Sequence, residues 1–202
     1  MKTIILVQHT ESEHHINGCI GAWQDWQLTQ RGREQALRIG EWLRDAGCDG
    51  TWSMFVSPQL RARQTAEEIN RFLGLTPVIR EELREVNAGE GNGKTREWYR
   101  EHAAPRGPAF DPDHRDFPGA ESDRELWDRL LPFYRDMMAS SEERILVVSH
   151  GTTLSFLQSM LCGQSVEDRG RFRFSGAGGS LSRFTAEDGG KVTAVFVNHR
   201  LD

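Results

Sequence analysis

Cysteine is scarce in this chain: three in 202 residues, Cys19, Cys48 and Cys162, odd in number, far apart and without CxxC spacing. That argues against a disulfide framework and a thiolate zinc site, so reduced thiols are expected. Long apolar runs are missing too. Residues 1–7 bring one basic side chain and the short stretch Ile4 to Val7, too little for a signal peptide and far from the roughly 20 residues of a membrane span. A cytoplasmic protein with no membrane partner is expected. Nor is there a block of one charge sign: 25 Lys and Arg interleave with 30 Asp and Glu, for a net charge of -5. Such a surface has no general attraction for nucleic acid or anionic lipid, so an anionic ligand must be caught by a local positive pocket. Internal repeats and low-complexity tracts are also absent.

What is present is enough for one core. The length suits a single domain over 1–202. Ile4–Val7, Phe55–Val56 and Ile145–Val148 belong to short apolar runs, each followed by polar residues and a helix-like stretch, the pattern of buried parallel strands. Helical stripes predict helices from Thr29 as N-cap to about Asp45, from Gln59 to Leu73 with Gly74 as terminator, and from Ser122 to Ser140 with a kink at Pro132. Another is expected over Thr152 to Cys162. Ser180–Thr185 and Val192–Val197, around Asp188-Gly189-Gly190, read as a terminal hairpin. The expected fold is α/β, three-layered, with a mostly parallel sheet and helices on both faces. Residues 86–120 hold five glycines and four prolines. That is too long for a plain connection, and suggests a lid or insertion over a site.

His9 and His150 each follow an apolar strand and precede a probable helix. In a parallel sheet such positions share the carboxyl edge, where ligands bind and helix N-termini favour anions. Arg61, in the first turn of a helix after another strand, can reach the same crevice and hold a phosphate bidentately. Glu85 adds a carboxylate at the start of the long loop.

The order of these segments resembles the histidine phosphatase superfamily, also called phosphoglycerate mutase-like, over almost the whole chain. Its RHGET-type motif reads Gln8-His9-Thr10-Glu11-Ser12, and its D-x-x-LT helix start reads Asp25-Trp26-Gln27-Leu28-Thr29. SP-x-x-RA-x-QTA appears as Ser57-Pro58-Gln59-Leu60-Arg61-Ala62-Arg63-Gln64-Thr65-Ala66, and L-x-E as Leu83-Arg84-Glu85. PGGES and VSHG appear as Pro118-Gly119-Ala120-Glu121-Ser122 and Val148-Ser149-His150-Gly151. The resemblance implies a phosphoglycerate mutase-like fold and a metal-independent phosphomonoester hydrolase acting on a small phosphorylated metabolite. His9 would form a phosphohistidine, His150 would steady the phosphoryl group, and Glu85 would serve as proton donor and then base. Arg61 would clamp the phosphate, with Gly151 of the last motif beside it. No metal and no cofactor are expected; the partners are the phosphorylated substrate or inorganic phosphate, with a homodimer left open.

The departures bear on activity. Gln8 stands where the family has an arginine, so the pocket gains an amide donor and loses a cation. His14, His15, Arg63 and Arg84 are candidates to replace that charge. His15 stands where the family usually has a substrate-contacting asparagine, which makes it a substrate-binding candidate. Three functions follow: a phosphatase first, a mutase returning the phosphoryl group to another hydroxyl second, and a phospho-ligand sensor built on a weakened site third. A metal reading of His14 and His15 with Glu11 or Glu13 is disfavoured, because adjacent histidines are expected to point in different directions and no third ligand has zinc-motif spacing. Trp23 and Trp26 either line the pocket or pack beside it. Arg169, Arg171 and Arg173 form an alternating basic row in an expected strand, read as a solvated face first and as phosphate steering second.

Overall fold

A computed structural model describes residues 1–201. Its centre is a six-stranded sheet in the order β3-β2-β4-β1-β5-β6: β1 Lys2–Gln8, β2 Ser53–Val56, β3 Pro77–Ile79, β4 Arg144–Ser149, β5 Leu181–Ala186 and β6 Val192–His199. The first four run parallel, whereas β5 lies antiparallel to β1 and β6 antiparallel to β5. β1 and β4 are buried on both faces, which is why their sequences are apolar without alternation.

Six α-helices flank the sheet: α1 Glu13–Ile16, α2 Gln30–Asp45, α3 Leu60–Leu73, α4 Arg96–His102, α5 Asp123–Ala139 and α6 Gly151–Leu161. Ile39 and Leu43 of α2 pack with Ala62, Ala66 and Ile69 of α3 on one face, around Val7 and Val148. Leu126, Leu130 and Phe133 of α5 pack with Phe156 and Leu157 of α6 on the other, around Leu6 and Val147. The expected three layers are therefore observed.

The end signals do what their chemistry allows. Thr29 Oγ1 accepts the Gly32 amide at 2.9 Å to cap α2, and Gly74 closes α3 at a φ of 64°. Ser122 and Glu125 form a reciprocal capping box at the start of α5, which runs on through Pro132. Gly32 is required by space: a Cβ there would overlap the Glu11 carbonyl, so its absence lets α2 press against the loop after β1.

Two elements escape the sequence pattern, the one-turn α1 and the exposed edge strand β3. One expectation is corrected. Arg169, Arg171 and Arg173 form no strand; a short 3-10 turn, Glu167–Gly170, leads into irregular chain, and Arg169 is buried. Among the described residues no helix is long and apolar enough to cross a membrane.

Candidate active site

The carboxyl ends of β1, β2 and β4 meet at one edge and bring His9, Ser57 and His150 together. The His9 and His150 rings lie 5.2 Å apart, centre to centre. His9 Nδ1 lies 2.8 Å from the Thr10 carbonyl. A carbonyl only accepts, so this nitrogen carries the proton and Nε2 keeps its lone pair. Arg61 Nε donates to that lone pair at 3.2 Å.

Arg61 is 1% exposed yet fully employed. Its remaining nitrogens donate to the carbonyls of Gln24 at 2.8 Å and Ala22 at 2.9 Å. Ala22 holds a φ of 31°, a left-handed conformation costly for a residue with a Cβ, and its carbonyl also takes the Gln59 side-chain amide at 2.5 Å. The loop is thus bent so that its carbonyls fix the guanidinium plane.

His150 caps α6 and its Nε2 shares a 2.7 Å hydrogen bond with Ser57 Oγ. Its Nδ1 is buried without a hydrogen-bond partner. Glu85 is held at the N-terminus of the same helix. Its carboxylate accepts the amides of Val86 at 2.9 Å, Thr152 at 3.2 Å and Thr153 at 3.1 Å. Its backbone is fixed by Gln59 and by Trp23, whose Nε1 donates to the Glu85 carbonyl at 2.6 Å. Of the two tryptophans, Trp23 therefore braces the acid, while Trp26 packs near His14.

Burial is the main force on the ionisations. It depresses the pKa of His9 and His150 well below 6.5, with the Arg61 charge as the next cause. His14 is pushed down to about 3 by burial and His15 is lowered in the same way. Arg61 falls to about 10 on burial and keeps its charge at neutral pH.

A cavity of about 220 Å³ opens here, walled by His9, His14, Arg61, Glu85, Tyr99 and Thr152 among others. Arg61 is the one guanidinium on its wall. The suggested replacements for the lost arginine do not supply a cation there. His14 and His15 are held neutral, Arg63 is exposed on α3, and Arg84 stacks over Trp23 while pairing with Glu81 at 2.9 Å. Gln8 is not on this wall. Its amide lies at the start of α6, where a Cβ on Gly151 would come 3.1 Å from Gln8 Nε2. Glu85 engages the amides of Thr152 and Thr153, leaving the Gly151 N–H as the first-turn donor beside Gln8.

His15 stacks near His9, ring centres 5.5 Å apart, and its Nδ1 accepts the Ser12 amide at 3.0 Å. That acceptance places its proton on Nε2, making it a neutral donor. His9, His14 and His15 do bring three ring nitrogens within 4.8 Å of one another. The missing third ligand of the sequence reading is therefore His9 itself, and the neighbouring His14 and His15 rings approach to 3.9 Å. The donor set fits a cation poorly: Arg61 already faces the His9 lone pair, and His15 Nε2 carries a hydrogen.

Residues that the sequence reading passed over complete the site. Ser57 orients His150, the Thr10 carbonyl sets the His9 tautomer, and Gln59 ties the Ala22 loop to Glu85. Ser57 had a legible signal, standing directly after β2 at the ligand-binding edge; the Thr10 and Ala22 carbonyls carry no side-chain signature.

An imidazole with an unprotonated Nε2 and a buried guanidinium, at the carboxyl edge of the parallel strands and beside a helix N-terminus, make an α/β site suited to an anion. The family model of the histidine phosphatase superfamily (branch 1) matches residues 4–199, and the chain belongs to that superfamily. A Hydrogenobacter thermophilus protein named "Putative phosphoserine phosphatase 2" is 32% identical over 203 residues, covering 98% of this chain and 96% of its own. A 2,3-bisphosphoglycerate-dependent phosphoglycerate mutase of Methylorubrum populi is 28% identical, with 82% of each chain covered. The crystal structure of the alpha-ribazole phosphatase from Shigella flexneri superimposes with a TM-score of 0.83 at 25% identity, covering 98% and 96% of the two chains.

Proposed function

We propose that the chain is a metal-independent phosphomonoester hydrolase that works on a small phosphorylated metabolite through a phosphohistidine at His9. One observation carries the reading: the His9 ring is locked in the tautomer that leaves Nε2 unprotonated, with Arg61 directly beside it.

The lone pair of Nε2 attacks phosphorus as the ester oxygen leaves with the bonding electrons, and Glu85 supplies the proton that this oxygen takes up. A water then gives its proton to Glu85 and attacks the phosphorus, the P–N bond breaks, and inorganic phosphate and free His9 result. A loose phosphoryl transition state requires in-line positioning and positive or donor groups around its equatorial oxygens. Arg61, the His150 ring, the Gly151 amide and His15 are the groups assigned to that task, with the Gln8 amide packed behind Gly151.

The test is hydrolysis of an aryl phosphate in the presence of a chelator. Turnover should persist under chelation and vanish in His9→Ala, and phosphate labelled in the ester should be trapped on the wild-type protein by rapid quenching. Turnover that survives the substitution, or that chelation stops, would overturn the proposal. The mutase-named relative favours a second reading, in which the phosphoryl group returns to another hydroxyl of substrate. Interconversion of phosphoglycerates, with and without bisphosphoglycerate, decides between them. Binding of phosphate esters with no turnover of either kind would instead favour the sensor reading.

A further inference from the structure

Beside the catalytic pocket lies a larger cavity of about 680 Å³, within the roughly 300–1,000 Å³ typical of small-molecule sites. Val86, Ala88, Tyr99 and Thr152 wall both spaces, so a leaving group bound at the phosphate pocket extends directly into the second. The second cavity holds acids and bases alike, but they are not equally free. Asp116 accepts the Tyr99 hydroxyl at 2.5 Å and Arg106 at 2.9 Å. Glu121 is held by Arg129 at 2.6 Å.

The facing wall, residues 169–173, is different. Arg169 is buried, its guanidinium 3.5 Å from the centre of the Phe156 ring, with Nη1 bonded to Ser155 and Ser159. Its Nε has no hydrogen-bond acceptor; the nearest carboxylate oxygen, on Asp123, is 3.8 Å away. Arg171 and Arg173 line the same cavity, and neither makes an ion pair or side-chain hydrogen bond among the described residues. Two guanidiniums without a direct carboxylate partner and one buried N–H without an acceptor thus face a space that shares four wall residues with the His9 pocket; Asp123, on the same wall, is the nearest acid to Arg169. Phe110 and Phe172 stand beside them and give that space apolar walls.

We infer that the leaving group of the substrate carries a second anionic group, a carboxylate or a phosphate, which seats against Arg169, Arg171 and Arg173 while its carbon skeleton runs past Tyr99, Phe110 and Phe172. The inference rests on the hydrolase reading only for the identity of the group at His9. Paired charges elsewhere in the cavity set the geometry; the unpaired arginines supply the attraction, and guanidinium planes suit either anion bidentately.

Phosphonates test this without requiring turnover. Alkyl phosphonates of graded length are compared by calorimetric titration with the same chains ending in a carboxylate or a second phosphonate. At the fitting length the terminal anion should tighten binding by about tenfold or more. That gain should shrink with added salt and fall below about threefold in the double variant Arg171→Gln, Arg173→Gln. Which terminal group gains more identifies the anion. No gain at any length, or a gain unchanged in the double variant with an intact thermal transition, overturns the inference. A gain alongside failure of the aryl phosphate assay would leave a bis-anion site and remove the hydrolase reading. Hydrolysis without a gain would do the reverse.

Discussion

The two cavities meet at Tyr99 and Thr152 but are built on opposite principles. In the inner one three groups are tied to backbone: His9 to the Thr10 carbonyl, Arg61 to those of Ala22 and Gln24, Glu85 to three amides. His9 stands at a strand end and Arg61 in a first helical turn, and the Glu85 carboxylate is held against the first turn of α6, so none can move without disturbing those elements. In the outer one the 86–120 segment and residues 169–173 make most of the wall, with Asp123 and Thr152 from α5 and α6, and among the described residues two of its arginines make no ion pair or side-chain hydrogen bond. On the proposed function, chemistry that tolerates little displacement would sit on fixed groups, and discrimination on loops that can change.

The sharpest way to break this contrast is at Arg61. Arg61→Lys keeps a charge but cannot reach His9 Nε2 and both carbonyls at once. We expect kcat to fall by about 10²–10³, roughly 3–4 kcal/mol of transition-state stabilisation. The Ala22 and Gln24 carbonyls each keep a second donor, the Gln59 side-chain amide and the Trp26 N–H, so stability should fall by only about 1 kcal/mol. Steady-state kinetics beside a denaturant titration checks both, and a loss under tenfold in kcat would remove Arg61 from the clamp.

The second test concerns protons. An imidazole of ordinary pKa is about 97% protonated at pH 5, so only about one in 30 retains its lone pair. Burial pushes His14 down to about 3, so it should remain neutral there, and depresses His9 and His150, which should protonate at lower pH than an ordinary imidazole, as nitrogen-detected NMR can read directly. The sign for stability follows. The unfolded chain takes up protons at these residues below about pH 6.5 and the folded chain only at lower pH, so folding stability should decline as pH drops from 6.5 towards 3. A flat stability profile over that window would mean that the rings are not buried as described. A smaller effect is expected at Ser57, whose hydroxyl is the partner of His150 Nε2. Ser57→Ala should lower kcat about three- to tenfold with little change in KM, and Ser57→Thr should restore it. A change confined to KM would show that Ser57 acts on binding and not on the orientation of His150.

The same contrast explains what the sequence made legible. Buried parallel strands announce themselves as unbroken apolar runs, and caps such as Thr29, Ser122 and Gly74 carry local chemistry that survives any tertiary context. Strand ends then place His9, Arg61 and His150 in one crevice without knowledge of loops. β3 was hidden because its three residues are all exposed and so show no pattern. The arginine row misled for a related reason: alternation with Phe172 and Phe174 imitates a strand, while the burial of Arg169 against Phe156 is settled by α6, far away in sequence. His14 and His15 looked divergent as neighbours in sequence; a one-turn helix, with Ser12 bonded to both rings, folds them against His9. The Gln8 substitution was visible as a lost charge, but only packing reveals that its amide backs onto Gly151 and Gly176.

The gentlest probe lies at the seam between the two loops of the outer cavity. A Cβ on Gly170 would fall 2.6 Å from Phe110 Cβ and 2.7 Å from its Cγ. The glycine is needed for space and not for an unusual backbone angle, since its φ is not positive. Gly170→Ala must therefore push the Phe110 loop outward. Because Phe110 is 36% exposed it can swing away, which puts the cost near the low end of overpacking, about 1 kcal/mol. The inner pocket shares no wall with Gly170. The variant should raise KM for an ester with a long anionic leaving group about two- to fivefold more than for a short aryl phosphate. Equal changes for both esters would mean that the loops and the strand ends respond as one unit, and the division between a fixed chemical pocket and an adjustable outer one would not hold.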